Sequence, residues 1–137
     1  MRLVVDTDVI AAALLGEEAR GSEAARLLAS ASELLSPAHW KAELANVIWK
    51  SVVFAGNPPE RLNEIFRVAE SLPITSVEVS ELWRGAVARA ITSRQSVYDT
   101  LFVELALREG LPLASYDAPL RRKFPRVVAL PKSLLRN

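Results

Sequence analysis

Five short strand-like runs, Leu3 to Val5, Glu33 to Ser36, Pro73 to Val77, Leu111 to Ala114 and Val127 to Leu130, alternate along this sequence with longer stretches of helical spacing. That alternation settles the fold class. An antiparallel strand with one face in water alternates apolar and polar residues, whereas the runs at Leu3, Leu111 and Val127 are apolar throughout. Strands buried on both faces and joined by helices make a parallel sheet covered on each side, so the sequence predicts an α/β fold. Its 137 residues suit one domain, 1–137, and no internal repeat, low-complexity tract or linker divides them.

The helical segments are set out by spacing and by their breakers. Asp6-Thr7-Asp8 reads as a polar turn before a helix from Val9 to Leu15, and Ser22 to Ala31 is a second helix rich in Ala, Leu, Glu and Arg. Ala38 to Phe54 places Trp40, Leu44, Val47, Ile48 and Val52 on one amphipathic face, and Gly56-Asn57-Pro58-Pro59 ends it. Leu62, Ile65, Phe66 and Ala69 mark the next helix. Glu78 to Arg94 and Val97 to Glu109 follow, the latter closed by Gly110.

Composition removes several kinds of chemistry. There is no cysteine and one histidine, His39, so disulfides, thiolate metal sites, thiol catalysis and multi-histidine zinc sites are excluded. Any metal is held mainly by oxygen. No basic-then-apolar leader opens the sequence and no apolar run approaches the roughly 18 residues of a membrane span, so a cytoplasmic protein is expected. The net charge of +1 carries no signature of nucleic-acid binding. Arg84, Arg89, Arg94 and the run Arg121, Arg122, Lys123 nevertheless make the second half locally basic, either as solvated surface or as contacts for an anion.

The acids fall where such a fold places its ligands, beyond the carboxyl ends of strands. Asp6 and Asp117 each follow an apolar strand closely. Both readings of these loops stay open, because Asp8 is also placed to N-cap the helix from Val9, and Asp117 to cap a short helix through Pro119 and Leu120. Glu43 flanks the stripe of Trp40 and Val47, and no Lys or Arg stands three or four positions away to pair with it. Asn46, one turn on, is placed to hold Glu43 or a metal-bound water, or is a solvated helix residue. Asp99 begins a helix that is apolar almost all round, which predicts a central helix and a partly buried carboxylate. Ser96 and Asp99 also have the spacing of a capping box, which is compatible with a metal role. If Asp6, Glu43, Asp99 and Asp117 converge, four like charges share one crevice, and a cation or bound protons must relieve their repulsion. Oxygen donors alone favour Mg²⁺ or Mn²⁺ over zinc.

The order and surroundings of these acids resemble the PIN-domain family and, within it, the VapC toxins of bacterial and archaeal toxin–antitoxin pairs. LVVDTDVIAAALL is similar to the family's opening strand and first acid, SPAHWKAELANVIWK to its glutamate-bearing helix, and VYDTLFVELALREGLPLASYDAPL to its third acid, helix, strand and final acid. The resemblance runs from near the start to about Leu120. It implies a three-layer α/β/α fold around about five parallel strands, a homodimer, a cognate antitoxin that blocks the site, and a metal-dependent endoribonuclease acting on RNA. Asp6, Glu43, Asp99 and Asp117 match the family's four acids, and Ser115 the small hydroxyl residue before the last. Asp6, Asp99 and Asp117 are then the principal metal ligands, with Glu43 holding a metal-bound water or a second ion. Asp8 departs from the Asn or Ser usual at its place, which leaves open whether it draws in a second metal or weakens the approach of RNA. Leu14, Leu15, Trp49, Val53 and Phe54 are candidates for partner contact or simply core.

Two other readings compete. Asp6-Thr7-Asp8-Val9 after a strand also resembles the opening of haloacid-dehalogenase-type phosphatases, with Asp6 as nucleophile, although the later closely spaced Asp pair of such enzymes is missing. Alternatively the fold is a non-catalytic protein-binding module whose acids serve as caps.

Overall fold

Arg2–Val5 forms β1, and its Leu3, Val4 and Val5 are wholly buried in the computed structural model, which describes residues 1–16 and 18–135. The other strands are β2 (Glu33–Pro37), β3 (Ile74–Val77), β4 (Leu113–Ala114) and β5 (Val128–Ala129). All pair in parallel, in the order β3-β2-β1-β4-β5. The first strand is thus the central one, and Val4 sits in register between Leu35 and Leu113. Full burial of each such side chain contributes about 1.5–3 kcal/mol, so register here is fixed by the apolar run itself.

Eight helices among the described residues cover the sheet: α1 (Thr7–Leu15), α2 (Glu18–Ser30), α3 (Trp40–Val53), α4 (Leu62–Ser71), α5 (Trp83–Ser93), α6 (Val97–Glu109), α7 (Ala118–Lys123) and α8 (Pro131–Leu134). They fall into two groups: α1 packs on α2, α3 and α4, while α5 packs on α6, which lies against β1, β2 and β4. The α/β expectation holds. So does the central helix, because every residue of α6 from Thr100 to Ala106 is buried. Gly110 ends α6 in the left-handed conformation, φ 65°, as its position predicted. No helix is long and apolar enough to cross a membrane, among the described residues.

The departures have local causes. The second helix begins at Glu18, not Ser22; Gly21 lies inside it, where a Cβ would stand 3.0 Å from the Ala12 carbonyl, so the glycine permits close packing of α2 on α1. The expected helix from Glu78 is instead extended at Glu78, a 3₁₀ turn at Val79–Glu81, and then α5. The run from Leu111 shortens to β4 because Pro112 has no N–H for the ladder, although its carbonyl still accepts the Val4 N–H at 2.9 Å. The last strand likewise contracts to Val128–Ala129, and Pro131 starts the unexpected α8 at the position where proline suits a helix. Trp49, Val53 and Phe54 are not core: they are 52%, 54% and 74% exposed at the end of α3, whereas Leu14 and Leu15 pack partly against the core.

Candidate active site

The carboxyl ends of β1 and β4 deliver Asp6 and Asp117 to the same edge of the sheet, since those strands are neighbours in register. Glu43 enters from the first turn of α3 and Asp99 from the first turn of α6. All four line one cleft of about 270 Å³, together with Thr7, Asp8, Asn46 and Val47. Among the described residues no Lys or Arg lines it. Among the described residues no three of these side chains already stand as a closed ligand set; they line the cleft walls with no Lys or Arg between them.

Hydrogen bonds fix the acids from behind. Ser115, wholly buried, donates its hydroxyl to Asp6 Oδ2 at 2.7 Å and accepts the Asp117 N–H at 3.0 Å. One oxygen therefore ties the first acid to the backbone of the fourth. Thr7 donates to Glu43 Oε1 at 2.8 Å, tying the first strand's end to the second acid, and His39 Nε2 lies 3.7 Å from the same oxygen. That nitrogen also lies 3.1 Å from the Tyr98 carbonyl, while the buried Nδ1 has no hydrogen-bond partner among the described residues. The imidazole packs against Phe102, ring centres 5.0 Å apart, joining α3 to α6 behind Glu43 and Asp99. Ser96 accepts the Asp99 N–H at 3.2 Å, which is one half of the expected capping box. Asn46 is exposed at the rim and, among the described residues, makes no hydrogen bond with Glu43.

Both capping alternatives are now decided. Asp117 does cap α7, accepting the Leu120 N–H at 3.0 Å, and lines the cleft as well. Asp8 is not a cap: α1 begins at Thr7, with Asp6 at the cap position but making no side-chain cap bond. Asp8 instead takes the Tyr116 N–H, at 3.1 and 3.3 Å to its two oxygens, and its Oδ2 lies 3.5 Å from the Ser115 hydroxyl. The loop from Ser115 to Asp117 is clamped from its other side as well, since the Tyr116 hydroxyl donates to Glu23 Oε1 at 2.9 Å and its ring lies under Arg20.

The electrostatics follow from this crowding. Burial pushes the Asp6 carboxyl well above its ordinary range, Asp8 adds repulsion, and the Ser115 hydrogen bond only partly opposes them. Burial raises Asp8 to about 6 despite the Tyr116 N–H, with the charge of Asp117 adding to the rise. Asp99 is raised by burial and by Asp117. Such a cleft is a poor place for bare carboxylates and a good one for a hard divalent cation, whose charge removes the same penalty.

Thr7, His39 and Tyr116 were not picked out as site residues from the sequence. Thr7 next to Asp6, and His39 four residues before Glu43, had the spacing to do so; Tyr116 had none, because its partners lie on α2. If Asp8 serves as the loop's clamp, Asp8→Asn keeps an acceptor for the Tyr116 N–H and retains cation affinity within about threefold, while Asp8→Ala loses about tenfold or more. Calorimetric titration with Mn²⁺ checks this, and equal large losses in both variants would instead make Asp8 a ligand.

The family model for the PIN domain matches residues 3–124. Ribonuclease VapC3 of Pyrobaculum aerophilum is 33% identical over 132 residues, which are 93% of this chain and 98% of that protein. Among solved structures, VapC20 of Mycobacterium tuberculosis, a Sarcin-Ricin loop cleaving toxin, matches with a TM-score of 0.64 at 18% identity, over 88% of this chain and 93% of that one. At that identity the likeness is one of fold.

Proposed function

This chain belongs to the PIN-domain family, and from that premise we propose that it is a metal-dependent endoribonuclease, the toxin of a type II toxin–antitoxin pair. The observation that carries the reading is the meeting of Asp6, Glu43, Asp99 and Asp117, brought from four separate elements, in one cleft that no Lys or Arg among the described residues lines. Family membership takes the place of the phosphatase reading of Asp6-Thr7-Asp8, and the intact set of four acids speaks against a non-catalytic module. The chain acts as a single domain in the cytoplasm.

Asp6, Asp99 and Asp117 are the proposed holders of a divalent cation, Mg²⁺ or Mn²⁺, with Glu43 beside them. When bound, such an ion neutralises the phosphate and lowers the pKa of the attacking water. The chain's own contribution is placement. Ser115 keeps Asp6 and the Asp117 backbone at a fixed separation, Thr7 holds Glu43 in the cleft, and Glu43 would hold a metal-bound water or a second ion. Because water attacks, the RNA 2′-hydroxyl is not the nucleophile, and products carry 5′-phosphate and 3′-hydroxyl ends. Partners are RNA, a cognate antitoxin that blocks the cleft and a second copy of the chain; exposed Trp49, Val53 and Phe54 are candidate contacts for one of the two proteins.

The test is cleavage of a defined single-stranded RNA by the purified protein with Mg²⁺, with Mn²⁺ and with EDTA. Metal-dependent products with 5′-phosphate ends are expected. Cleavage that survives EDTA, or products ending in cyclic phosphate, would overturn the mechanism.

A further inference from the structure

We propose that the groove between α5 and α7 is the channel that carries the RNA strand away from the acid cleft, a proposal that rests on the nuclease reading above. This groove has a volume of about 680 Å³, more than twice that of the cleft, and its lining includes Arg89, Thr92, Ser93 and Lys123.

Its position follows from α7. Asp117 caps that helix at the cleft and Lys123 ends it in the groove; six residues at 1.5 Å each put the two ends about 9 Å apart. A second stretch of chain links the groove to the cleft. Lys123 Nζ donates to the Ser93 carbonyl, and from Ser93 the chain turns through Ser96, which caps Asp99. The groove thus lies one short helix from Asp117 and one short loop from Asp99.

Its charge fits a phosphodiester chain. The acid cleft can neutralise the scissile phosphate only through a bound cation, and its carboxylates repel the phosphates on either side, so those must find cationic partners nearby. Glu104 on the groove floor is already engaged by Arg89 and Arg108, at 2.7 Å each, which leaves one positive charge over from that trio. Lys123 adds another, with two ammonium hydrogens beyond the one given to Ser93. Arg89 gives Glu104 its Nε–H and is 40% exposed. Arg121 and Arg122 on α7 extend the basic surface.

Lys123→Ala, Lys123→Glu and Lys123→Arg, with Arg67→Ala on α4 as a control outside both cavities, are compared in steady-state cleavage of a single-stranded RNA and in binding of the same RNA, fluorescently labelled, in EDTA. Loss of Lys123 is expected to raise KM about threefold to tenfold with kcat within about twofold, and to flatten the dependence of log affinity on log salt by about 0.7. Glu is worse than Ala, Arg restores binding, and Arg67→Ala matches wild type. If Lys123→Ala and Lys123→Glu match Arg67→Ala in both assays while wild type cuts RNA in a metal-dependent way, the channel is overturned and the nuclease reading stands. If wild type shows no metal-dependent cleavage, the nuclease reading falls first and the channel with it. A fall in kcat with unchanged KM and salt dependence would also overturn the channel, because it would mean that the Lys123–Ser93 bond acts only by holding the Asp99 wall.

Discussion

Asp6→Asn protein is expected to melt several degrees above wild type in EDTA and to cut RNA at least about a thousandfold more slowly in Mg²⁺. Both results come from the same charge. Asp6 is 8% exposed, faces Asp8, Asp99 and Glu43, and is pushed far up by burial, so its ionised form costs folding free energy that a neutral amide of nearly the same volume avoids. Ser115 can donate to the amide oxygen as it does to the carboxylate. The catalytic loss reflects several kcal/mol of transition-state stabilisation given up with a ligand charge, which is about three orders of magnitude in rate. The pH dependence has a definite sign. Asp8 rises from an ordinary 3.8 to about 6 on folding. Below the lower value both states hold the proton and there is no penalty; as pH rises toward 6 the unfolded chain releases it first, and stability falls by roughly 3 kcal/mol. Asp6 acts in the same direction. Melting temperatures in EDTA from pH about 4.5 to about 7.5 should therefore diverge, with Asp6→Asn and Asp8→Asn gaining on wild type as pH increases. A variant-to-wild-type difference that stays flat across that range would refute the electrostatic account.

Gly85→Ala is expected to destabilise the protein by about 1–3 kcal/mol, against the direction of helix propensity. Gly85 lies in the first turns of α5, and exchanging a helical glycine for alanine is ordinarily worth about 1 kcal/mol of stability. Here the added Cβ would stand 2.4 Å from the Glu104 carboxylate. That carboxylate is the end of a side chain, but not a free one: Arg89 and Arg108 hold its two oxygens, and only 7% of the side chain is exposed. Burial works against the ionised form of Glu104, yet the two arginine hydrogen bonds hold its carboxyl below the usual range. Shifting it breaks at least one buried pair, and such losses reach 3–5 kcal/mol when a partner is removed outright. Urea denaturation of Gly85→Ala beside Glu104→Gln measures the effect. If Gly85→Ala is the more stable protein, the carboxylate moves freely and the pairing is loose.

That cluster also shows what local sequence conceals. Val97 to Glu109 is legible as a central helix because its apolar residues leave almost no polar face, but Glu104 within it reads as an interruption. Arg108, four residues on, was a visible helical partner; Arg89 comes from the preceding helix and Gly85 makes the room, and neither relation has a sequence period. The cleft divides along the same line. Asp6 and Asp117 were legible because a short apolar strand hands an acid to a loop, and Glu43 because no cation stood within a helical turn. The links among them, Ser115 to Asp6 and Asp8 to Tyr116, join residues more than a hundred positions apart, and only the pairing of β1 with β4 creates them. Asp8 illustrates the cost of local reading: two residues from Asp6, it looked like a helix cap, and its real partner lies across the sheet.

The central place of β1 also bears on when the acid cleft can form. Its neighbour on one side, β4, is more than a hundred residues downstream, and the cleft needs Asp117, which comes after β4. A growing chain can pair β1 with β2 and pack α1 against α2 and α3 early, but it cannot assemble the acids until β4 and Asp117 have emerged. Long-range parallel pairing of this kind is slow to form, and synthesis proceeds at only about 5–20 residues per second. Emergence of the segment after Asp117 therefore acts as a timer. Until β4 docks on β1, a growing chain has its first acids in place but no assembled acid cleft.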